Sequence, residues 1–246
     1  MALKANPDDQ ALLLDLQAFD TKLAQLDHKA KSLPQHSTLE MLAKEADGIR
    51  ATLAQQSGAL EDISLELGRI ESDVSIVETR IARDSERVQH SSSVKDVAAL
   101  EQELTALRKR LGDLEEIELT VMERLEEQQT AAHHSAAQLA ELAERAGVIE
   151  TERDAELASI AAERTTAAAG RRTIEAKVPA ELLALYERQR SRYGTGASLL
   201  RGGVSLASGV KLLENEMQAI RAAAPDDIIM CASSEAILVR TNESGL

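Results

Sequence analysis

The sequence predicts a mainly α protein: a long antiparallel coiled-coil hairpin, preceded by a short kinked N-terminal helix and followed by a small α+β head. Three observations carry this. Two long stretches keep apolar residues on strict three-four spacing, which places them along one seam of a supercoiled helix. Aromatic residues make up 1% of the chain (Phe19, Tyr186 and Tyr193) and Trp is absent, so the 43% apolar content is mostly aliphatic and a large globular core is excluded. After Lys177 the long-helix pattern gives way to Pro, Gly and short β-branched runs.

The first seam is Leu12, Leu16, Phe19, Leu23, Leu26, Ala30 and Leu33, giving a helix over about 8–33 that ends at Pro34, whose ring removes a helical hydrogen bond. The second runs from Leu39 through Leu42, Ala46, Ile49, Leu53, Leu60, Ile63, Leu67, Ile70, Val74, Val77 and Ile81 to Val88, interrupted by Gln56 and Asp84. It predicts a helix over 37–88, about 75 Å long at 1.5 Å per residue. The polar segment 89–93 is read as a hairpin tip, with Ser93 as the N-cap of the next helix. That helix, over 94–174, carries Val97, Leu100, Leu104, Leu107, Leu111, Leu114, Val121, Leu125, Leu139, Leu142 and Ile149 on its seam.

A short tip permits only an antiparallel return, so facing residues should have numbers adding to about 183. Gln56 then falls opposite Gln128. Either the two amides share a layer and satisfy each other, or each points to solvent from a slightly rotated seam. By the same rule the first helix lies against the second half of the returning one, near Leu157, Ile160 and Ile174. These three helices form a rod over 1–177, roughly 110 Å long.

The head spans 178–246. Pro179 can occupy N1 of a short amphipathic helix ending near Tyr193-Gly194. Short strands are expected at 197–200, 227–230 and 237–241, with a helix at 214–222 between them.

The residues Val178-Pro-Ala-Glu-Leu-Leu, Tyr186-Glu-Arg, Arg192-Tyr-Gly, Leu200-Arg-Gly-Gly and Ile237-Leu-Val-Arg carry a resemblance. Over nearly its whole length the chain resembles bacterial coiled-coil proteins with a C4-type zinc-ribbon head. The resemblance implies a zinc-ribbon-like head with four thiolates in two CxxC knuckles. The matching positions here are Ser205 and Ser208, then Cys231 and Ser234, so three of four ligands are serine. A serine hydroxyl stays protonated near neutral pH and is a poor zinc ligand, so no bound zinc and no other cofactor is expected. Substitute imidazoles are missing, because His28, His36, His90, His133 and His134 all lie outside the head.

Catalysis has no visible machinery: the head contains neither histidine nor a G-x-S-x-G elbow, and Gly194-Thr195-Gly196 lacks the rest of a dinucleotide fingerprint. The chain is therefore read as a non-enzyme. Its net charge of −14 opposes general nucleic-acid binding, but the neck reverses the sign. Between residues 171 and 203, Arg171, Arg172, Lys177, Arg188, Arg190, Arg192 and Arg201 face only Glu175, Glu181 and Glu187. Two readings of the neck stand. Arg188, Arg190, Arg192, Tyr193 and Arg201 could contact nucleic acid or a partner, Tyr186 and Tyr193 offering stacking faces; or the tyrosines pack and the arginines pair with the rod.

The functional expectation is a non-catalytic adaptor or chaperone-like protein whose rod holds a protein partner, with RNA or DNA binding by neck and head as the alternative. Relatives in the resembled group are implied to bind an alternative sigma factor, secretion or flagellar components, or RNA. A monomer or weak self-association is expected. The absence of an apolar span and of a signal-like amino end points to a cytoplasmic protein with no membrane contact.

Overall fold

The computed structural model describes residues 3–246. In chain order the elements are α1 (Pro7–Lys31), α2 (Pro34–His90), α3 (Val94–Glu175), α4 (Ala180–Tyr193), β1 (Ala197–Arg201), β2 (Val204–Ser205), α5 (Glu214–Ala222), β3 (Ile229–Met230) and β4 (Ile237–Val239). The long helical hairpin and the small mixed sheet are both present. Two compact units result: one is Gln35–Thr151, and the other joins the chain before Gln35 to Glu152–Leu246. No helix is long and apolar enough to cross a membrane among the described residues.

In the hairpin unit, α2 and α3 run antiparallel and bury one aliphatic seam. Leu42 and Ala46 pack with Leu142, and Arg80 of α2 pairs with Glu103 of α3. These partners obey the register that the short tip imposes. Farther along the seam Ile63, Leu100, Leu104, Leu114 and Val121 are buried. The shared amide layer is not formed as a reciprocal bond. Gln56 and Gln128 are both half-buried, and Gln56 Oε1 is buried without a hydrogen-bond partner.

Asp84 is the second polar intrusion, 1% exposed. Its Oδ1 accepts from Arg87 Nη1 at 3.2 Å, and Arg83 Nε lies 3.6 Å from the same oxygen. Oδ2 has no hydrogen bond, its nearest cation being Arg80 Nε at 3.9 Å.

In the other unit, α1 opens with Pro7 at its first position and Asn6 as cap, its side chain accepting from the Asp8 amide at 3.1 Å. Asp8 and Asp9 in the first turn and Lys29 and Lys31 in the last complement the helix dipole. The helix lies antiparallel to the later part of α3. Lys22–Glu163 (2.8 Å) and Lys29–Glu156 (2.5 Å) flank a seam of Leu26, Leu33 and Ile160. Phe19 sits on bare backbone: a Cβ at Gly170 would lie 2.5 Å from its ring. Small residues leave an open groove of about 820 Å³ beside it, lined by Ala18, Phe19, Ala162 and Ala167.

The sheet has the order β2-β1-β4-β3, with β1 and β4 parallel and the outer pairs antiparallel. Alternation along β4 divides the core in two. Ile237 and Val239 join Leu13, Leu16, Leu182 and Tyr186 from the helices, whereas Leu238 joins Leu200, Leu212, Met217 and Ile220. The amino end is drawn in as well. Lys4 bridges to Asp227, the Ala5 amide donates to Asp226 O at 2.9 Å, and buried Gln10 donates to Ala5 O (2.8 Å) and Pro225 O (3.3 Å).

Three local expectations are corrected. Pro179 is the N-cap of α4, one place before N1. β4 stops at Val239, short of residue 241, because the chain turns there, the Thr241 amide donating to Ser244 Oγ at 2.9 Å and the Ser244 amide to Thr241 O at 3.0 Å. β3 is confined to Ile229–Met230, since the Asp227 carboxylate is held by the Ala224 amide at 2.8 Å in the preceding turn.

Candidate functional site

The basic neck is organised around one carboxylate. Asp20 of α1, its side chain 8% exposed, accepts from Arg171 Nε at 2.7 Å and from Tyr186 Oη at 2.7 Å, with Arg190 Nε 3.4 Å away. Glu187 pairs with Arg171 and receives Arg190 Nη2 at 2.7 Å, while Arg171 Nη1 reaches Glu175 at 2.8 Å. The hydrogen bonds from Arg171 to Asp20 raise the guanidinium's pKa further, and burial followed by the bond to Asp20 raises that of the Tyr186 phenol. Both groups keep their protons throughout the physiological range. This network ties α1, α3 and α4 together, so Arg171, Tyr186 and Arg190 are committed internally.

The remaining neck residues face solvent. Arg188 is exposed and makes no ion pair among the described residues. The Arg192 guanidinium stands 5.3 Å from the centroid of the exposed Tyr193 ring, within cation-π range. Arg201 meets Glu243 at 3.1 Å with both side chains exposed. Of the five neck residues singled out in the sequence, Arg190 thus belongs to the interior network and the other four to the surface.

Gln17 escaped sequence reading, and Gly196 was weighed there only against a dinucleotide fingerprint. Gln17 Oε1 accepts from the Gly196 amide at 2.8 Å and also lies 3.3 Å from Tyr186 Oη, fastening the entry of β1 to α1. A glutamine one place after the seam residue Leu16 carries no signal that separates this role from ordinary helix surface.

The four knuckle positions lie in two turns of one design. In the first, the Ser205 amide donates to Val210 O (3.2 Å) and the Gly209 amide to Ser205 O (2.8 Å). In the second, the Cys231 amide donates to Ala236 O (2.9 Å) and the Glu235 amide to Cys231 O (2.8 Å). Gly209 (φ 67°) and Glu235 (φ 56°) occupy equivalent left-handed positions. The Cys231 sulfur is buried, 3.2 Å from Ser233 Oγ. Burial pushes this thiol up, but the nearby hydroxyls of Ser205, Ser233 and Ser234 outweigh it and lower the pKa to about 6. The hydroxyls of Ser205 and Ser234 are inaccessible and have no well-formed hydrogen bond, and Ser208 instead accepts from the Val210 amide at 3.3 Å. Among the described residues no three His, Cys, Asp or Glu side chains gather as metal ligands.

A helical hairpin carrying a small mixed-sheet unit defines a class of coiled-coil hairpin proteins. Residues 16–194 match the family described as CT398-like coiled coil hairpin domain, and the chain belongs to that family. It is 32% identical over 239 residues to the uncharacterized protein Rv2229c of Mycobacterium tuberculosis, covering 97% of this chain and 98% of that one. A solved structure from Mycobacterium smegmatis is similar at 32% identity and a TM-score of 0.88, over 97% of this chain and 100% of the other. The CT398 structure from Chlamydia trachomatis shares the fold at 18% identity and a TM-score of 0.68, over 95% of this chain and 98% of the other.

Proposed function

We propose that this chain is a cytoplasmic, non-catalytic adaptor or chaperone-like protein, whose hairpin holds a protein partner and whose head, a degenerate zinc ribbon, adds a second contact. One observation carries the reading. Leu65 and Leu119 are 60% and 63% exposed on the hairpin, and the register that pairs Arg80 with Glu103 puts them at the same level of α2 and α3. Ile76, Ile117 and Met122 are exposed on the same unit. Aliphatic surface left in water at matched levels gains free energy when a partner covers it, at about 25 cal/mol per Å². The neck supports the same reading, since its central arginines are spent on internal carboxylates. The paired turns, with serine at three of four knuckle positions, support the ribbon assignment.

A second reading, nucleic-acid binding, is favoured by the exposure of Arg188, Arg192 and Tyr193 around one end of α4. Photo-crosslinking residues placed in cells at Leu65 or Leu119, and separately at Arg188 or Tyr193, distinguish the two. Capture of a protein from the hairpin positions is the expected result. Capture of RNA or DNA from the neck alone, abolished by R188A/R192A/R201A, replaces the first reading with the second. Capture of a second copy of this chain makes it a self-associating spacer.

A further inference from the structure

Zinc is the metal a ribbon head implies, and the donor set of this chain does not fit it. One thiol and three hydroxyls cannot replace four soft or imidazole donors, and no acidic or imidazole side chain completes a cluster nearby among the described residues. Yet the two turns keep their form. In each, the residue at the first ligand position donates its amide five residues forward and accepts at its carbonyl from the amide four residues forward. The left-handed residue that permits this is Gly209 in one turn and Glu235 in the other. These four main-chain bonds need no metal.

The space between the turns is filled in the same manner. Cys231 packs among Leu200, Leu212, Met217, Ile220 and Leu238, its sulfur in contact with Ser233 Oγ. Ser205 is itself 0% exposed, and the hydroxyl of Ser234 is inaccessible to solvent. Neither hydroxyl has a hydrogen-bond partner among the described residues, a cost that the main-chain bonds and the apolar packing of the head offset. Ser208 satisfies itself against the Val210 amide.

We infer that the two knuckles are closed by their own main-chain bonds and by apolar packing around Cys231, and that the head holds its fold without zinc. This rests on reading the head as a degenerate ribbon. The test is metal content of the full chain, purified in the presence of zinc and passed through a desalting column, together with its thermal midpoint with and without a chelator. The expected results are no stoichiometric zinc and an unchanged midpoint. One zinc per chain, or a midpoint that falls on chelation, overturns the inference while leaving the ribbon reading intact. The variant S205C/S208C/S234C restores four thiolates and should take up one zinc per chain, with a midpoint that rises with the metal and falls with the chelator. If that variant keeps the far-ultraviolet dichroism of the parent but takes up no zinc, the ligand positions do not converge, and the ribbon reading fails together with the inference built on it. Should the restored variant not fold, the parent's metal content and chelator response still decide the inference.

Discussion

Gly196 lies directly against the ring of Tyr186: a Cβ at this glycine would fall 2.5 Å from Tyr186 Cε2 and 2.8 Å from Tyr186 O. The ring is fully buried and is held at its far end by Asp20, so it has no room to retreat. Gly196→Ala should therefore destabilise the unit containing the head by about 1–3 kcal/mol, the usual cost of overpacking. Urea unfolding followed by tyrosine fluorescence checks this, and a change within error of the parent would mean the ring is mobile.

Asp20 accepts from both Arg171 and Tyr186 with only 8% of its side chain exposed. Asp20→Asn leaves Arg171 partly buried beside a neutral group, and the loss should be about 3 kcal/mol. The exposed pair Lys44–Glu40 provides the contrast, for Lys44→Ala should change stability by less than about 0.5 kcal/mol. Equal effects at the two sites would show that the neck network contributes no more than a surface pair.

Asp84 places a buried carboxylate, with one oxygen unbonded, in an otherwise aliphatic seam. Its three arginines are mostly exposed and stay solvated without it, so an apolar replacement removes the carboxylate's desolvation cost and leaves no charge buried, a gain of about 1 kcal/mol. Asp84→Leu should accordingly raise the unfolding midpoint of the hairpin. A drop would show that the three surrounding arginines pair with Asp84 more favourably than its desolvation costs.

Lys4, followed by the Ala224 amide, holds the Asp227 carboxyl below its ordinary pKa of 3.8. With the folded value beneath the unfolded one, the stabilisation is present above about pH 3.8 and is lost as pH falls through the folded value. The Lys4–Ala5 segment should then loosen in acid, seen as faster hydrogen exchange at the Ala5 amide. In Asp227→Asn the acid step should shrink; a step of unchanged size would assign it to other carboxylates.

The sequence made the hairpin legible because its seam repeats over many turns, so a single intrusion such as Gln56 or Asp84 does not obscure the period. Helix α5 was legible from its local composition, and Glu216 indeed returns a bond to the Leu213 amide at 2.7 Å. The neck was only half legible. Charge counting found the arginines, but whether Arg190 faces water or Asp20 depends on a residue 170 positions away, which no local pattern encodes. The Gly194-Thr195-Gly196 segment, set aside as a dinucleotide fingerprint, had a role that was illegible for a related reason. Gly194 ends α4 with φ 85°, and Gly196 makes way for a ring on that helix, so the two glycines serve separate steric needs. The knuckle positions were found only through resemblance, since scattered serines carry no periodicity.

The bridge between Lys4 and Asp227 has a consequence for how the molecule is made. Lys4 is matched with a residue made far later in the chain, and α1 lacks its packing partners until the stretch from Glu152 onward has emerged. The hairpin, built from contiguous sequence, can complete itself while synthesis is still under way. During that interval Leu13 and Leu16 have nothing to cover them, so the newborn α1 is the stretch most in need of protection from aggregation.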